Sequence, residues 1–251
     1  MIKDFIRKNI TAFFPFEPNT EQHTAISALT DFLMSNEQDS VLLFKGYAGT
    51  GKTTMLSAAV KMMDMMRQKV VLLAPTGRAA KVFAEYSGHI AYTIHRKIYR
   101  QQQFSSGYAG FTLTANLHKA TLFIVDEASM VSNENTDKAV FGSGYLLDDL
   151  IEYVYSGEGC RLILMGDSAQ LPPVSLTESP ALSAAYLKRY RLQVSEINLT
   201  QVVRQQEDSG ILVNATRLRE ALHDGQTAVF PSQVRHNFTN ASATKSFIIF
   251  K

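Results

Sequence analysis

Three features of the sequence predict an α/β fold, a parallel sheet wrapped by helices on both faces. Its strands read as continuous apolar runs, helical patterns separate most of them, and the first run passes through a glycine-rich loop into a helix. Continuous runs mark strands buried on both faces, whereas strands with one wet face alternate. Strands and helices in alternation give a doubly wound parallel sheet. At 251 residues and 45% hydrophobic content, the chain can form one large domain or a domain with an appendage.

The elements follow in order. Residues 1–18 read as a short amphipathic helix ending in the turn Phe-Phe-Pro-Phe-Glu-Pro at 13–18. A second helix opens at 19–22 with Thr20 as its N-cap, and Ala25, Ile26, Leu29, Phe32 and Leu33 fall on one face. The run Val-Leu-Leu-Phe at 41–44 is the first strand. Gly46 to Thr53 then match G-x-x-x-x-G-K-[ST], a loop whose backbone N–H groups cradle phosphate oxygens. Gly46, Gly49 and Gly51 let the loop curl without obstructing side chains. Ala48, Thr50 and Thr54 complete the candidate nucleotide-binding positions. The helix expected over 53–66 adds the partial positive charge of its N-terminus. Lys52 supplies a point charge for the β- and γ-phosphates, and the Thr53 hydroxyl is a candidate ligand for Mg²⁺.

Further strands are expected at 70–74, 121–125 and 161–165, with 197–200 as a weaker one. The stretch 101–117 breaks the alternation, with turn glycines between aromatic and β-prone residues. It reads as a hairpin-like insertion or, alternatively, as a flexible loop.

Composition excludes several classes. No apolar run reaches the roughly 18 residues of a membrane span. The first eight residues break their apolar positions with charges, unlike a signal peptide, so an intracellular, cytoplasmic protein is expected. The single cysteine, Cys160, has no partner for an internal disulfide and reads as structural. Net charge is +2, but residues 67–119 hold eight Lys or Arg against one acid, Glu85, and 126–158 hold eight acids against Lys138. The basic stretch fits either a phosphate-tracking surface or ordinary solvated faces.

The second half of the phosphate chemistry lies at 123–130. Asp126 follows an apolar strand, where a carboxylate beside the phosphate site can hold Mg²⁺, and Glu127 is placed to polarise an attacking water. Gln170 lies on a loop after another strand and is a candidate sensor of the γ-phosphate. The paired prolines beyond it stiffen that loop.

Six segments now occur in one order: 46–53, Ala-Pro-Thr-Gly-Arg-Ala-Ala-Lys at 74–81, Thr-Ile-His at 93–95, Asp-Glu-Ala-Ser-Met at 126–130, Gly-Asp-Ser-Ala-Gln-Leu-Pro-Pro-Val at 166–174, and Leu-Thr-Gln-Val-Val-Arg at 199–204. Together they resemble the motif series of superfamily 1B DNA helicases, in the Pif1/RecD-like branch, over residues 15–220. The resemblance implies a RecA-like ATPase domain at 19–100 and 118–198, with a small strand-separating 1B subdomain at 101–117. It implies ATP and Mg²⁺ as cofactors, and single-stranded DNA and duplex junctions as partners of a monomer. Gln22 would contact adenine, Lys52 the phosphates, and Thr53 with Asp126 the magnesium. Glu127 would activate water, Gln170 would report the γ-phosphate, and Arg204 would stabilise charge on the transferring phosphoryl group. Pro75, Thr76, Thr93 and His95 match positions that contact single-stranded DNA. Phe104, Tyr108 and Phe111 of the insertion could stack bases or form a small core of their own.

The later motifs of that family have no counterpart after Gly225, so residues 199–251 are expected to form a linker and the incomplete start of a second RecA-like domain. The expected function is ATP-driven 5′-to-3′ movement on single-stranded DNA with duplex unwinding, impaired if the second domain is absent. The alternative is a non-catalytic fragment that binds nucleotide and DNA and needs a partner domain.

Overall fold

The computed structural model describes residues 1–103, 109–134, 141–167, 169–170, 173 and 178–203. The chain divides into two compact units, Met1–Gln206 and Glu207–Lys251, and all described residues lie in the first. The expected amphipathic start of a second domain, Phe104, Tyr108 and Arg204 therefore fall outside the described residues.

In chain order the elements are α1 (Ile2–Ala12), α2 (Thr20–Met34), β1 (Ser40–Gly46), α3 (Lys52–Met65), β2 (Lys69–Ala74), α4 (Gly77–Ser87), β3 (Ala91–Thr93), α5 (Ile94–Ile98), β4 (Tyr99–Gln103), β5 (Ala109–Leu113), β6 (Thr121–Val125), α6 (Leu146–Tyr155), β7 (Arg161–Gly166), α7 (Ala184–Leu187) and β8 (Gln193–Leu199). Among the described residues, six strands form one sheet in the order β3-β2-β6-β7-β1-β8, every pair parallel. This is the RecA-like P-loop architecture. The weak run at 197–200 is the end of a seven-residue strand, β8, that pairs with β1 along its whole length. The short edge strand β3 carries no apolar run, so no strand is expected there from the sequence.

The two faces of each strand feed two cores. Leu42, Phe44, Leu72, Leu122, Ile124, Ile163 and Met165 pack with α1, α2 and α3. The intervening Val41, Leu43, Val71, Leu73, Phe123, Val125, Leu162 and Leu164 pack with α5 and α6. Successive side chains point to opposite faces, so a strand buried on both must be apolar at every position.

Caps fix the helices that bear the site. Asn19, not Thr20, caps α2: its side chain accepts the Gln22 N–H at 2.8 Å while Gln22 Oε1 accepts the Asn19 N–H at 3.0 Å. Asparagine caps at least as well as threonine, and the glutamine three residues on completes a capping box. At the other end of α2, the Arg161 guanidinium donates to the carbonyls of Phe32 at 2.6 Å and of Leu33 and Ser35 at 3.0 Å. Those carbonyls belong to the last turn and the C-cap, and β7 thereby anchors the helix.

The insertion is an antiparallel hairpin, β4 with β5, beginning at Tyr99. Its foot rests on Phe141, whose ring stacks on Phe111 at 4.5 Å. Cys160 is buried at the start of β7 as a free thiol. Among the described residues, no helix is long and apolar enough to cross a membrane.

Candidate functional site: a nucleotide cleft and an adjoining groove

The phosphate loop joins the carboxyl end of β1 to α3. Gly51 caps α3 with φ +89°, and Gly49 has φ +84°, left-handed conformations that favour glycine. Gly46 is needed for a different reason: a Cβ there would lie 2.8 Å from Thr50 Oγ1 and 2.9 Å from Leu199. The Lys52 ammonium donates to the carbonyls of Gly46 at 2.7 Å and Tyr47 at 2.9 Å, which holds it across the mouth of the loop.

A cleft of about 250 Å³ opens over this loop. Ala48, Gly49, Gly51, Lys52, Thr53 and Thr54 line one side, and Asp126, Glu127, Asp167 and Gln170 line it from the neighbouring strands. Parallel strands end on one edge, so residues that follow β1, β6 and β7 converge there. Asp126 is buried, and burial pushes its carboxyl up to about 6; the Glu127 N–H at 2.8 Å and the charge of Lys52 pull it down, while the Glu127 charge pushes it up. Glu127 itself sits at φ +54°, a strained conformation for a residue with a side chain.

Sequence reasoning missed three residues of this cleft's frame. Ser129 donates to Gln170 Oε1 at 3.1 Å, tying the loop after β7 to the turn after β6. Asp167 is buried in the cleft wall, and its carboxylate accepts the Ala169 N–H at 2.8 Å. Both stand inside the quoted motifs, which is the signal that could have found them. Glu21 has no motif: its carboxylate accepts the N–H groups of Thr200 and Gln201 and the Thr200 hydroxyl, at 2.8–2.9 Å. Partial burial pushes the Glu21 carboxyl up, and those donors outweigh it to hold the group below the usual range. Beyond this clamp the Val203 N–H reaches the Gly49 carbonyl at 3.0 Å, and Val203 lines the cleft one residue before Arg204.

Gln22, expected to contact adenine, turns inward against the phosphate loop. Its side chain is fully buried, with Oε1 in the capping box and Nε2 donating to the Thr50 carbonyl at 3.0 Å. It braces the phosphate loop against α2. A Cβ on Gly51 would meet that same Nε2 at 2.8 Å.

The residues expected at DNA occupy the ends of adjacent strands. Thr76 follows β2 and caps α4 through the Ala79 N–H at 3.2 Å; Thr93 ends β3 and caps α5 through the Arg96 N–H at 3.2 Å. Pro75, between β2 and Thr76, is half-buried. His95 packs edge-on to Phe141 at 5.1 Å and tilted to Tyr99 at 5.7 Å, and burial holds its imidazole below the ordinary value, hence neutral at pH 7. A second groove, of about 280 Å³, runs from Thr76, Arg78 and Val82 to Asp126, Glu127 and Gln170. The two hollows share those last three residues as a wall.

The residues fit a hard divalent cation. Thr53 and Asp126 present a hydroxyl and a buried carboxylate to one cleft. Among the described residues, no group of three or more His, Cys, Asp or Glu could hold a metal. Mg²⁺ takes one or two protein ligands and fills its shell with phosphate and water, so one hydroxyl and one carboxylate are enough to hold it.

Loop, acids and parallel sheet define a P-loop ATPase. The AAA domain family matches residues 17–241, and the chain belongs to it, in the Pif1/RecD-like group of superfamily 1B. The ATP-dependent RecD2 DNA helicase of Deinococcus radiodurans is 33% identical over 191 residues, 71% of this chain and 23% of that protein. The ATP-dependent DNA helicase PIF1 of Saccharomyces cerevisiae is 25% identical over 234 residues, 84% of this chain and 26% of that protein. The crystal structure of the Pif1 helicase from Candida albicans shares the fold, with a TM-score of 0.50 and 23% identity over 84% of this chain and 44% of that one. The chain thus spans less than half the length of each.

Proposed function

We propose that this chain is the ATP-hydrolysing part of a DNA motor, coupling turnover of Mg·ATP to movement on single-stranded DNA in the 5′-to-3′ direction and to opening of duplex junctions. The observation that supports it is the shared wall: Asp126, Glu127 and Gln170 line both the Lys52 cleft and the groove that begins at Thr76. Bound Mg²⁺ would neutralise charge on the β- and γ-phosphates. Lys52 leaves its two carbonyls for the phosphates, Thr53 and Asp126 hold the cation, and Glu127 orients the attacking water and takes its proton. Gln170, held by Ser129, senses whether the γ-phosphate is present and passes that state to the groove. Arg204, the next residue in sequence after Val203, supplies positive charge to the transferring phosphoryl group. Pro75, Thr76, Thr93 and His95 hold the DNA strand, and the β4–β5 hairpin acts as the wedge. Gln22 serves from its buried position by fixing the loop.

Binding linkage tests this reading. Single-stranded DNA should tighten binding of a non-hydrolysable Mg·ATP analogue, and the analogue should tighten DNA binding by the same factor, since such coupling is reciprocal. DNA affinity should fall steeply with salt. Two independent affinities would refute the proposal. Direction is read from tailed duplexes: only the 5′-tailed duplex should open.

A further inference from the structure

Between the end of β8 and residue 203 the chain runs along the phosphate loop. The Leu199 carbonyl accepts the Tyr47 N–H at 3.2 Å, and the Val203 N–H donates to the Gly49 carbonyl at 3.0 Å. The link between those two contacts is irregular, and Thr200 and Gln201 within it are exposed. Glu21, in the first turn of α2, holds its middle. One carboxylate oxygen accepts the Thr200 hydroxyl at 2.8 Å, the other accepts the Gln201 N–H at 2.8 Å, and the Thr200 N–H lies 2.9 Å from both. Water can satisfy exposed amides equally well, so this clamp adds little to folding. What it fixes is the path of the segment. Gln22, the next residue, donates to the Thr50 carbonyl at 3.0 Å. The first turn of α2 therefore holds two successive carbonyls of the phosphate loop: Thr50 directly, and Gly49 through the segment that Glu21 clamps. A trans peptide sets its N–H opposite its C=O, so holding a carbonyl also aims the N–H that follows it.

We infer, resting on the reading of the Lys52 cleft as the triphosphate site, that Glu21 is a positioning residue for the phosphates. By clamping 200–203 it keeps the Val203 N–H on the Gly49 carbonyl, and so keeps the peptides of the loop set for phosphate oxygens. Glu21 itself stands outside the lining of the cleft, whereas Val203 and Gly49 are part of it. It therefore acts on any ligand that carries the triphosphate, with or without a base.

Calorimetric titration of the full chain with ATP and with inorganic tripolyphosphate, each with Mg²⁺, tests this. Glu21→Ala should weaken both ligands by the same factor, about fivefold, which is the weight of roughly one hydrogen bond. Glu21→Gln keeps one acceptor oxygen and should weaken both only about twofold. Melting temperatures of both variants should stay close to that of the unaltered chain, since the clamped amides face water. Val203→Pro removes the N–H that reaches Gly49. In that background Glu21→Ala should have no further effect, because two changes on one path are not additive. An unchanged tripolyphosphate affinity in Glu21→Ala would overturn the inference alone. So would weakening of ATP without tripolyphosphate, or a loss that persists undiminished in the Val203→Pro background. Failure of both ligands to bind the unaltered chain would overturn the reading of the cleft, and the inference with it.

Discussion

The nucleotide cleft and the foot of the hairpin are built on opposite plans. The cleft is made of backbone: glycine turns, helix N-termini and the ends of parallel strands, with carbonyls of the loop itself holding Lys52. The hairpin foot is made of side chains. Phe111, Phe141, His95 and Tyr99 pack ring against ring, and the Tyr99 hydroxyl donates to the buried Asp149 carboxylate at 2.6 Å, which also accepts the Ser143 N–H at 3.0 Å. Burial and the Asp149 charge keep that phenol protonated far above its ordinary range. Backbone construction depends on few side chains for its shape, so substitutions in the cleft should change chemistry more than stability. Packing construction does the reverse.

Lys52→Ala should have the largest effect on function, lowering nucleotide affinity about 10- to 100-fold through loss of charge-assisted phosphate bonds. Calorimetric titration checks it, and the melting temperature should hardly move. At the hairpin foot, Asp149→Ala should cost about 1–3 kcal/mol of stability, because it leaves the buried Tyr99 hydroxyl without its acceptor. Denaturant unfolding measures this, and nucleotide affinity of the folded protein should be unchanged. A loss of affinity as large as that of Lys52→Ala would erase the distinction between the regions.

Asp126 sharpens the comparison from inside the cleft. Its folded pKa, about 6, stands above the usual 3.8, so its charge opposes folding. The stability it contributes is fully present below pH 4 and is lost as pH rises through 6. Asp126→Asn should therefore stabilise the metal-free protein by on the order of 2–3 kcal/mol at pH 8, with the gain gone by pH 4. Thermal melts across that range decide it. Smallest is His95→Gln, which should weaken single-stranded DNA binding about threefold, roughly the weight of one contact among several. Nucleotide affinity should stay the same.

The same contrast explains what the sequence disclosed. Strands β1, β2, β6 and β7 were legible because burial on both faces demands unbroken apolar runs, and the loop at 46–53 because phosphate binding demands glycine at fixed spacing. β3 and the first half of β8 lie on sheet edges and mix polar with apolar residues, so their pattern is weak. Gln22 entered through the resemblance to superfamily 1B helicases, and only the capping box shows where its amide turns. Glu21 and Asp149 act across 179 and 50 residues of chain, through contacts that no local pattern records. His95 was visible as part of a motif, while the rings that hold it came from three separate segments.

The central claim is that Asp126, Glu127 and Gln170 serve both hollows at once. Phosphate release from Mg·ATP, measured with and without single-stranded DNA for the unaltered chain and for Glu127→Gln, tests it most directly. DNA should raise the release rate of the unaltered chain, and Glu127→Gln should abolish release in both conditions while still binding ATP. A release rate indifferent to DNA, or one that survives Glu127→Gln, would contradict it.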